Sequence, residues 1–407
     1  MRWLLDMQGN LKDCNYNILN ITYCTFTNNV GVGTSCGGAI ESFKGSSTVS
    51  DSTFTNNSAN EGGAIHNGGD YHNAANLNIY NDIFTGNKGH YGGAIENLGT
   101  LTVEKSTFTN NIVTHIGGAI YNSGTLMVNS STFLNNIATE DAGAIYNGGS
   151  ANIHLNRIIG NNARFGKNIF NDGIKTDATL NWWGTNAGPL STVYKASGTL
   201  NVTSWLVLTV SAKPNSINTN SHTTITEDLL HDNLGVYHNP INGHVLNGIQ
   251  VTCTTSLGTI NSPVSIVNGT ATSTLKSGTK AGTTTVYTKL DNQTVKTSVT
   301  IKDPNPLKVS STSPSNNAQR ISLTTPITVK FTENIAAGTN YSKIYVKNLT
   351  TGKIVTITKT ISGNTFTIKQ TINRLKNDTY QVYIPAVAFK DKSGNNSEIY
   401  TFKFKTD

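Results

Sequence analysis

From residue 24 to residue 171, apolar residues recur at long fixed intervals, not with the 3.6-residue period of a helix. Phenylalanine stands at positions 26, 54, 84, 108 and 133, and Ile158 continues the series. Isoleucine stands at 40, 65, 95, 120 and 145, continued by Ile169, and the first five sit in Gly-Gly-Ala-Ile or Ala-Gly-Ala-Ile stretches. Val49, Ile79, Val103, Val128 and Ile153 form a third series. The unit is about 25 residues long, with one longer step, and holds three short apolar segments divided by Asn or Gly. Polar positions repeat as well. Asn29, Asn57, Asn87, Asn111, Asn136 and Asn161 follow the Phe series by three residues, and Asn67, Asn97, Asn122, Asn147 and Asn171 follow the Ile series by two.

A unit this short cannot bury its own apolar face, so it must stack on copies of itself. Pairing each short strand with its equivalent in the next unit predicts a right-handed parallel β-helix over residues 1–205, with about six to seven coils. Rungs would lie about 4.8 Å apart. Phe, Ile and Val/Ile columns would fill the interior, and asparagines would form two amide ladders at the corners. The glycine pairs permit a tight corner or a close approach of rungs that a Cβ would obstruct.

Composition supports an all-β chain. Only 13% of the 407 residues are charged, and there are 38 glycines. Thr, Val, Ile and Tyr favour strands, while Gly, Asn and Ser supply turns. The net charge of +7 is unevenly spread. Residues 1–185 carry 9 Lys and Arg against 13 Asp and Glu, whereas residues 303–407 carry 14 against 6. The basic C-terminal third suits contact with an anionic cell-wall polymer. Scarce, scattered Arg argues against nucleic acid as a partner. No apolar run approaches the ~20 residues of a membrane span, and the N-terminal run is too short and interrupted by Asp6 to be a signal peptide. With no export signal in these residues, the chain is expected to be a fragment, a processed product, or one whose export segment lies upstream. Cys14, Cys24, Cys36 and Cys253 form no disulfide framework and no paired metal motif. The state of the first three is left open.

The alternation of Gly-Gly-Ala-Ile with Phe-x-x-Asn resembles the repeats of chlamydial polymorphic outer-membrane proteins. It is still more similar to adhesin-like surface proteins of methanogenic archaea, in which a segment like Asn181-Trp-Trp-Gly…Gly-Pro189 closes the β-helix. The resemblance spans roughly residues 20–205. Residues 206–302 alternate Thr and Val, with turns at Asn268-Gly269 and Ser277-Gly278, and are similar to the invasin/intimin type of Ig-like domain. Residues 303–407, after Asp303-Pro-Asn-Pro306, resemble the Ig-like module of S-layer and cell-surface proteins. Both imply β-sandwiches. The architecture expected is therefore a parallel β-helix followed by two Ig-like β-sandwich domains.

That resemblance implies an extracellular, cell-surface protein that attaches to a glycan or protein of a partner cell. The β-helix would be the display surface and the Ig-like modules a stalk. Two rivals stand beside it: a carbohydrate-active β-helix (lyase, hydrolase or tailspike-like), and a structural envelope or S-layer component. Hydrolysis needs two convergent carboxylates. The acids of the repeats are scattered, so no catalytic residue, no cofactor and no enzyme activity is expected.

Two groups are candidates for binding. The residue after each Ile forms a stripe, Glu41, His66, Glu96, Tyr121, Tyr146 and Phe170, expected to point outward and offer two adjacent tyrosine faces. Tyr71, in an insertion of about six residues between Ile65 and Ile79, joins this group. His90, His115 and Glu140 precede the glycine pairs by two residues and would lie on consecutive rungs, close enough for a divalent metal. Asp391-Lys-Ser-Gly-Asn-Asn396 resembles a calcium loop without its terminal Glu, and reads as an Asx-type turn. His231, His238 and His244 fall in one long loop.

Overall fold

The computed structural model describes residues 4–5, 11–13, 19–31, 37–70 and 73–407. The described residues are all-β, a parallel β-solenoid of about 7 turns followed by sheets typical of Ig-like domains. Tyr71, Cys14 and Cys36 lie outside the described residues.

The three apolar series each build one sheet, in register. Ile40–Ser42, Ile65–Asn67, Ile95–Asn97, Ile120–Asn122, Ile145–Asn147 and Ile169–Asn171 pair in parallel with Ile on Ile. Val49, Ile79, Val103, Val128 and Ile153 face one another across a second sheet. Phe26, Phe54, Phe84, Phe108, Phe133 and Ile158 do so across a third. Stacking like on like leaves the phenylalanine rings nearly parallel, with centroids 4.7–4.8 Å apart. The repeat pattern did not predict a fourth, smaller sheet of Lys88–Tyr91, Ile112–Ile116 and Ile137–Ala138. Its inner residues, Val113, Ala138 and Ala163, are too small and varied to stand out as a column.

Both asparagine ladders form inside the wall. In the first, each Asn from 29 to 136 sends its backbone N–H and its Nδ2 to Oδ1 of the next, at 2.8–3.0 Å. In the second, Nδ2 of Asn67, Asn97, Asn122 and Asn147 donates to the next Oδ1 at 2.6–2.9 Å. The residue before each laddered Asn of the first series takes the left-handed turn, at φ 54–57° for Asn28, Asn56, Asn110 and Asn135 and at φ 66–69° for Gly86 and Gly160. Adjacent asparagines thus do different work, one bending the chain and one bonding between rungs.

A third ladder escaped the sequence reading because its members differ chemically. Ser52, Asp82, Ser106, Ser131, Asn156 and Asn181 each accept a backbone N–H from the rung before. Asp82 is the one acid in it, with 1% exposure. Burial pushes its carboxyl up to about 7, against the pull of the Ser52 and Tyr80 N–H groups. A carboxyl whose folded pKa is raised binds its proton more tightly folded than unfolded. Its contribution is therefore lost as pH rises from about 4 through about 7. Asp82→Asn keeps the acceptor that Asn156 and Asn181 use, without the buried charge. Thermal unfolding should show the variant more stable than wild type at pH 8, by on the order of 2–4 kcal/mol, and nearly equal to it at pH 4. Equal stabilities at pH 8 would count against the assignment.

The tryptophan pair divides its work between two cores. Trp183 packs into the β-helix interior, whereas Trp182 is fully buried among Leu206, Leu208, Leu229 and Val251 of the following module. Asp291 fastens the junction, accepting from Trp182 Nε1 at 2.7 Å and from both Nε and Nη2 of Arg157. Beyond it, strands Leu206–Lys213, His222–Asp232, Thr270–Lys276 and Thr259–Ile260 form one sheet. It faces a five-stranded sheet containing Gln293–Lys302, Gly282–Leu290 and Gln250–Thr255. Cys253 is buried in that core, and Cys24 is a free exposed thiol. From residue 309 a four-stranded and a five-stranded sheet repeat this architecture around Phe331, Phe366, Phe389, Phe402 and Phe404.

Candidate functional site

The residue after each Ile points away from the Ile column, so the stripe does lie on the outer side of its sheet. Its two halves differ. At the C-terminal end the rings form one run. Tyr121 stacks on Tyr146 at 5.2 Å, Tyr146 on Phe170 at 5.5 Å, and Phe170 on Tyr194 at 5.0 Å. Tyr91 from the small fourth sheet joins Tyr121 at 5.3 Å, and Phe165 joins Tyr194 at 5.4 Å.

Interplanar angles of 10° within Tyr121–Tyr146–Phe170 correct the expectation that tyrosine faces are on offer. Consecutive rungs lie about 4.8 Å apart, which is close to the spacing of stacked rings, so each face is covered by its neighbour. The run presents ring edges and phenol tips. Tyr194 and Phe165 are its open end, at 44% and 43% exposure. Burial raises both the Tyr121 and Tyr146 phenols above their ordinary value, and Asp172, which accepts from the Tyr146 hydroxyl at 3.2 Å, adds to the effect on Tyr146. Both tips therefore remain protonated donors throughout the physiological range. Tyr91, Phe165 and Tyr194 were not singled out from the sequence. Tyr194 stands in the Ile-sheet register opposite Phe170, and extending the stripe by one rung would have found it.

At the N-terminal end the expectation of an open surface fails. His66 and Glu96 pair on adjacent rungs but are only 3% and 5% exposed. Glu61, from the segment ahead of its glycine pair, reaches to 3.9 Å from His66 Nε2. One ligand atom from each of Glu61, His66 and Glu96 lies within 4.8 Å of the others. Neither ring nitrogen of His66 has a hydrogen-bond partner, and neither does Oε2 of Glu96. Burial, with the Glu61 charge, pushes the Glu96 carboxyl up to about 8, and burial alone pulls the His66 imidazole down to about 4. At neutral pH the pair is therefore protonated Glu beside neutral His. One imidazole and two carboxylates are also a donor set that zinc accepts. No periodicity signalled this cluster, because Glu61 lies outside the stripe.

His90, His115 and Glu140 do fall on consecutive rungs, yet their donor atoms do not converge as a metal would require. The His90 and His115 rings stack at 5.1 Å. His115 Nδ1 bonds Glu140 Oε2 at 2.9 Å, while His90 Nδ1 is taken by Thr114 Oγ1 at 2.9 Å. The register shift between Gly89 and Tyr91 sets both Thr114 and His115 opposite His90 and diverts its nitrogen. In the first Ig-like module, His231 and His238 pair separately with Asp228 and Asp232, and His244 Nδ1 meets the Val245 carbonyl.

Comparison with known proteins bears on these surfaces. Residues 51–68, 105–123 and 130–148 match the Chlamydia polymorphic membrane protein repeat. Residues 303–406 match a bacterial Ig-like domain. These matches support an adhesin-like surface protein of repeat type, and they do not show an archaeal source. No curated protein matches the chain. Among solved structures, the Yersinia pseudotuberculosis adhesin InvE is 18% identical over 49% of this chain and 58% of its own, with a TM-score of 0.29. A C-terminal fragment of intimin, solved with the intimin-binding domain of the translocated intimin receptor, is 15% identical over 49% and 64%, at 0.21. The N-terminal part of the bacterial S-layer protein SbsC is 21% identical over 25% and 24%, again at 0.21. The chain spans less than two thirds of each of these structures, and likeness at this level concerns fold alone. No helix among the described residues is long and apolar enough to cross a membrane.

Proposed function

We infer that the protein is an extracellular adhesin-like protein that attaches to a glycan or protein on a partner cell. The β-helix flank makes the contact, and the Ig-like modules carry it. The observation behind this reading is the continuous aromatic ridge from Tyr91 through Tyr121, Tyr146 and Phe170 to Tyr194. Four rungs of it span roughly 14 Å. A rigid ridge loses little entropy on binding. The Tyr121 hydroxyl can donate to a carbonyl or sugar hydroxyl, and the Tyr146 hydroxyl, which donates to Asp172, can accept from one. The basic C-terminal module is available to an anionic wall polymer, an arrangement that would hold the stalk to its own surface.

Whole-cell and glycan-array binding by the full chain tests this. Tyr121→Ala with Tyr146→Ala should weaken binding at least fivefold. Tyr121→Phe with Tyr146→Phe keeps the stack and removes only the tips, so its effect separates hydroxyl recognition from loss of the ridge. Unchanged binding in both double variants would sink the proposal.

One observation favours the carbohydrate-active rival, namely that Glu61 and Glu96 bring carboxylate oxygens within 4.8 Å of each other. Glu96, however, is 5% exposed, and its unpartnered oxygen is shut off from any polymer on the surface. Release of reducing sugar by the wild type, abolished in Glu96→Gln, would reverse the preference.

A further inference from the structure

Far from the β-helix flank, the junction between the two Ig-like modules gathers three acids from three separate segments. Asp303 follows strand Gln293–Lys302 and opens the linker to residue 306. Glu333 lies just past strand Ile327–Phe331, and Asp391 directly follows Phe389–Lys390. One carboxylate oxygen from each lies within 4.8 Å of the other two. Three like charges so close repel one another. Hydrogen bonds from Ser393, Asn305 and Asn395 hold the Asp303 carboxyl below its ordinary value, whereas burial and the other two acids push that of Glu333 up.

Asp391 shows that this is more than a crowded surface. It is 95% buried, at 5% exposure, and its Oδ1 accepts the Asn395 N–H at 2.9 Å. Its Oδ2 is buried with no hydrogen-bond partner. A buried carboxylate oxygen without a donor is costly, and a bound cation would satisfy it. Lys392 lines the same cavity as Asp303 and Glu333, and its charge acts on both without forming a close ion pair with either among the described residues.

We propose that this junction binds one hard divalent cation, of the calcium class, through Asp303, Glu333 and Asp391. Asp303 and Glu333 line a cavity of about 280 Å³ together with Thr219, Asn220 and Thr279 of the preceding module and with Asn305 and Ser393. Every neutral donor there is an oxygen or an amide, with no histidine or cysteine to attract a softer metal. Calcium accepts an irregular set of six to eight oxygens, whereas magnesium demands near-ideal octahedral geometry. Loops and a linker offer the former.

The consequence is mechanical. Ser393 already donates to the Thr279 carbonyl at 2.7 Å, and its own carbonyl accepts the Ala281 N–H at 3.2 Å. A cation between linker, Glu333 and Asp391 would add a charged clamp to these two hydrogen bonds and stiffen the stalk at this joint.

Calorimetric titration of the full chain with calcium chloride tests the site, with magnesium chloride as the competing arm. One equivalent should bind with a dissociation constant of about 0.1–1 mM, the range of extracellular modules. Limited proteolysis within residues 303–306 should slow when calcium is present. Glu333→Gln, at a partly exposed position where folding is secure, should weaken binding at least tenfold, and Asp391→Asn should do the same. Lys392→Met, which removes a competing charge, should leave binding equal or tighter. No calcium heat at about tenfold above that range, or a Glu333→Gln variant that binds as wild type does, would overturn the proposal.

Discussion

Asn111→Ala should cost the β-helix about 4–6 kcal/mol, while Asn110→Gly, one residue away, should change stability by less than about 0.5 kcal/mol. The Asn111 side chain is fully buried and makes four hydrogen bonds. Its Oδ1 accepts from the backbone N–H and the Nδ2 of Asn87, and its Nδ2 donates to Asn136 Oδ1 and to the Phe84 carbonyl. Alanine would orphan two donors on Asn87 and the Phe84 carbonyl, all out of reach of water. Each orphan costs about 1–3 kcal/mol, and the vacated volume adds to the sum. Asn110 is exposed and held at φ 55°, which glycine adopts freely. Urea unfolding of both variants measures the contrast. Similar losses at the two positions would show that the ladder does not carry the stability assigned to it.

Gly118→Ala should be worse than Gly117→Ala by a wide margin, to the point that Gly118→Ala fails to fold. A Cβ on Gly118 would stand 2.1 Å from the Gly143 carbonyl oxygen and 2.9 Å from backbone atoms of Ile137, all in the next rung. Backbone in a paired strand cannot give way without parting the rungs. Gly117 holds φ +75°, where a Cβ would stand 2.7 Å from the Ile120 carbonyl oxygen of its own rung, yet the equivalent position one rung on is Ala142, at φ 61°. Alanine in that conformation costs about 1–2 kcal/mol, and this chain already bears it once. Soluble expression and circular dichroism of the two variants decide the matter. A folded Gly118→Ala with wild-type melting would refute the account.

These two contrasts show how far the sequence could be read. The Phe, Ile and Asn columns were legible because each residue's main partner is its own equivalent one repeat later. Phe84 stacks on Phe108 and Asn87 bonds Asn111, so the contact itself is written as a period. The Ser/Asp/Asn ladder obeys the same geometry but was missed, since any side chain with an acceptor oxygen can serve there. The outward stripe was legible as a register. Its openness was not: nothing in the repeat foretells that Glu61 reaches His66, or that stacked tyrosines cover each other's faces.

By itself, then, the sequence determined the all-β class, the parallel β-helix with its inward columns, and the Ig-like character of the C-terminal half. Repetition turns long-range contacts into fixed spacings, and those survive in one dimension. Only the tertiary structure decided which way Trp182 and Trp183 face, that Asp291 meets Arg157 across 134 residues, and that Asp303, Glu333 and Asp391 bring carboxylate oxygens within 4.8 Å of one another. Each of these is a single contact between segments whose separation follows no period. It depends on how whole modules come to rest against each other, and leaves no regular mark along the chain.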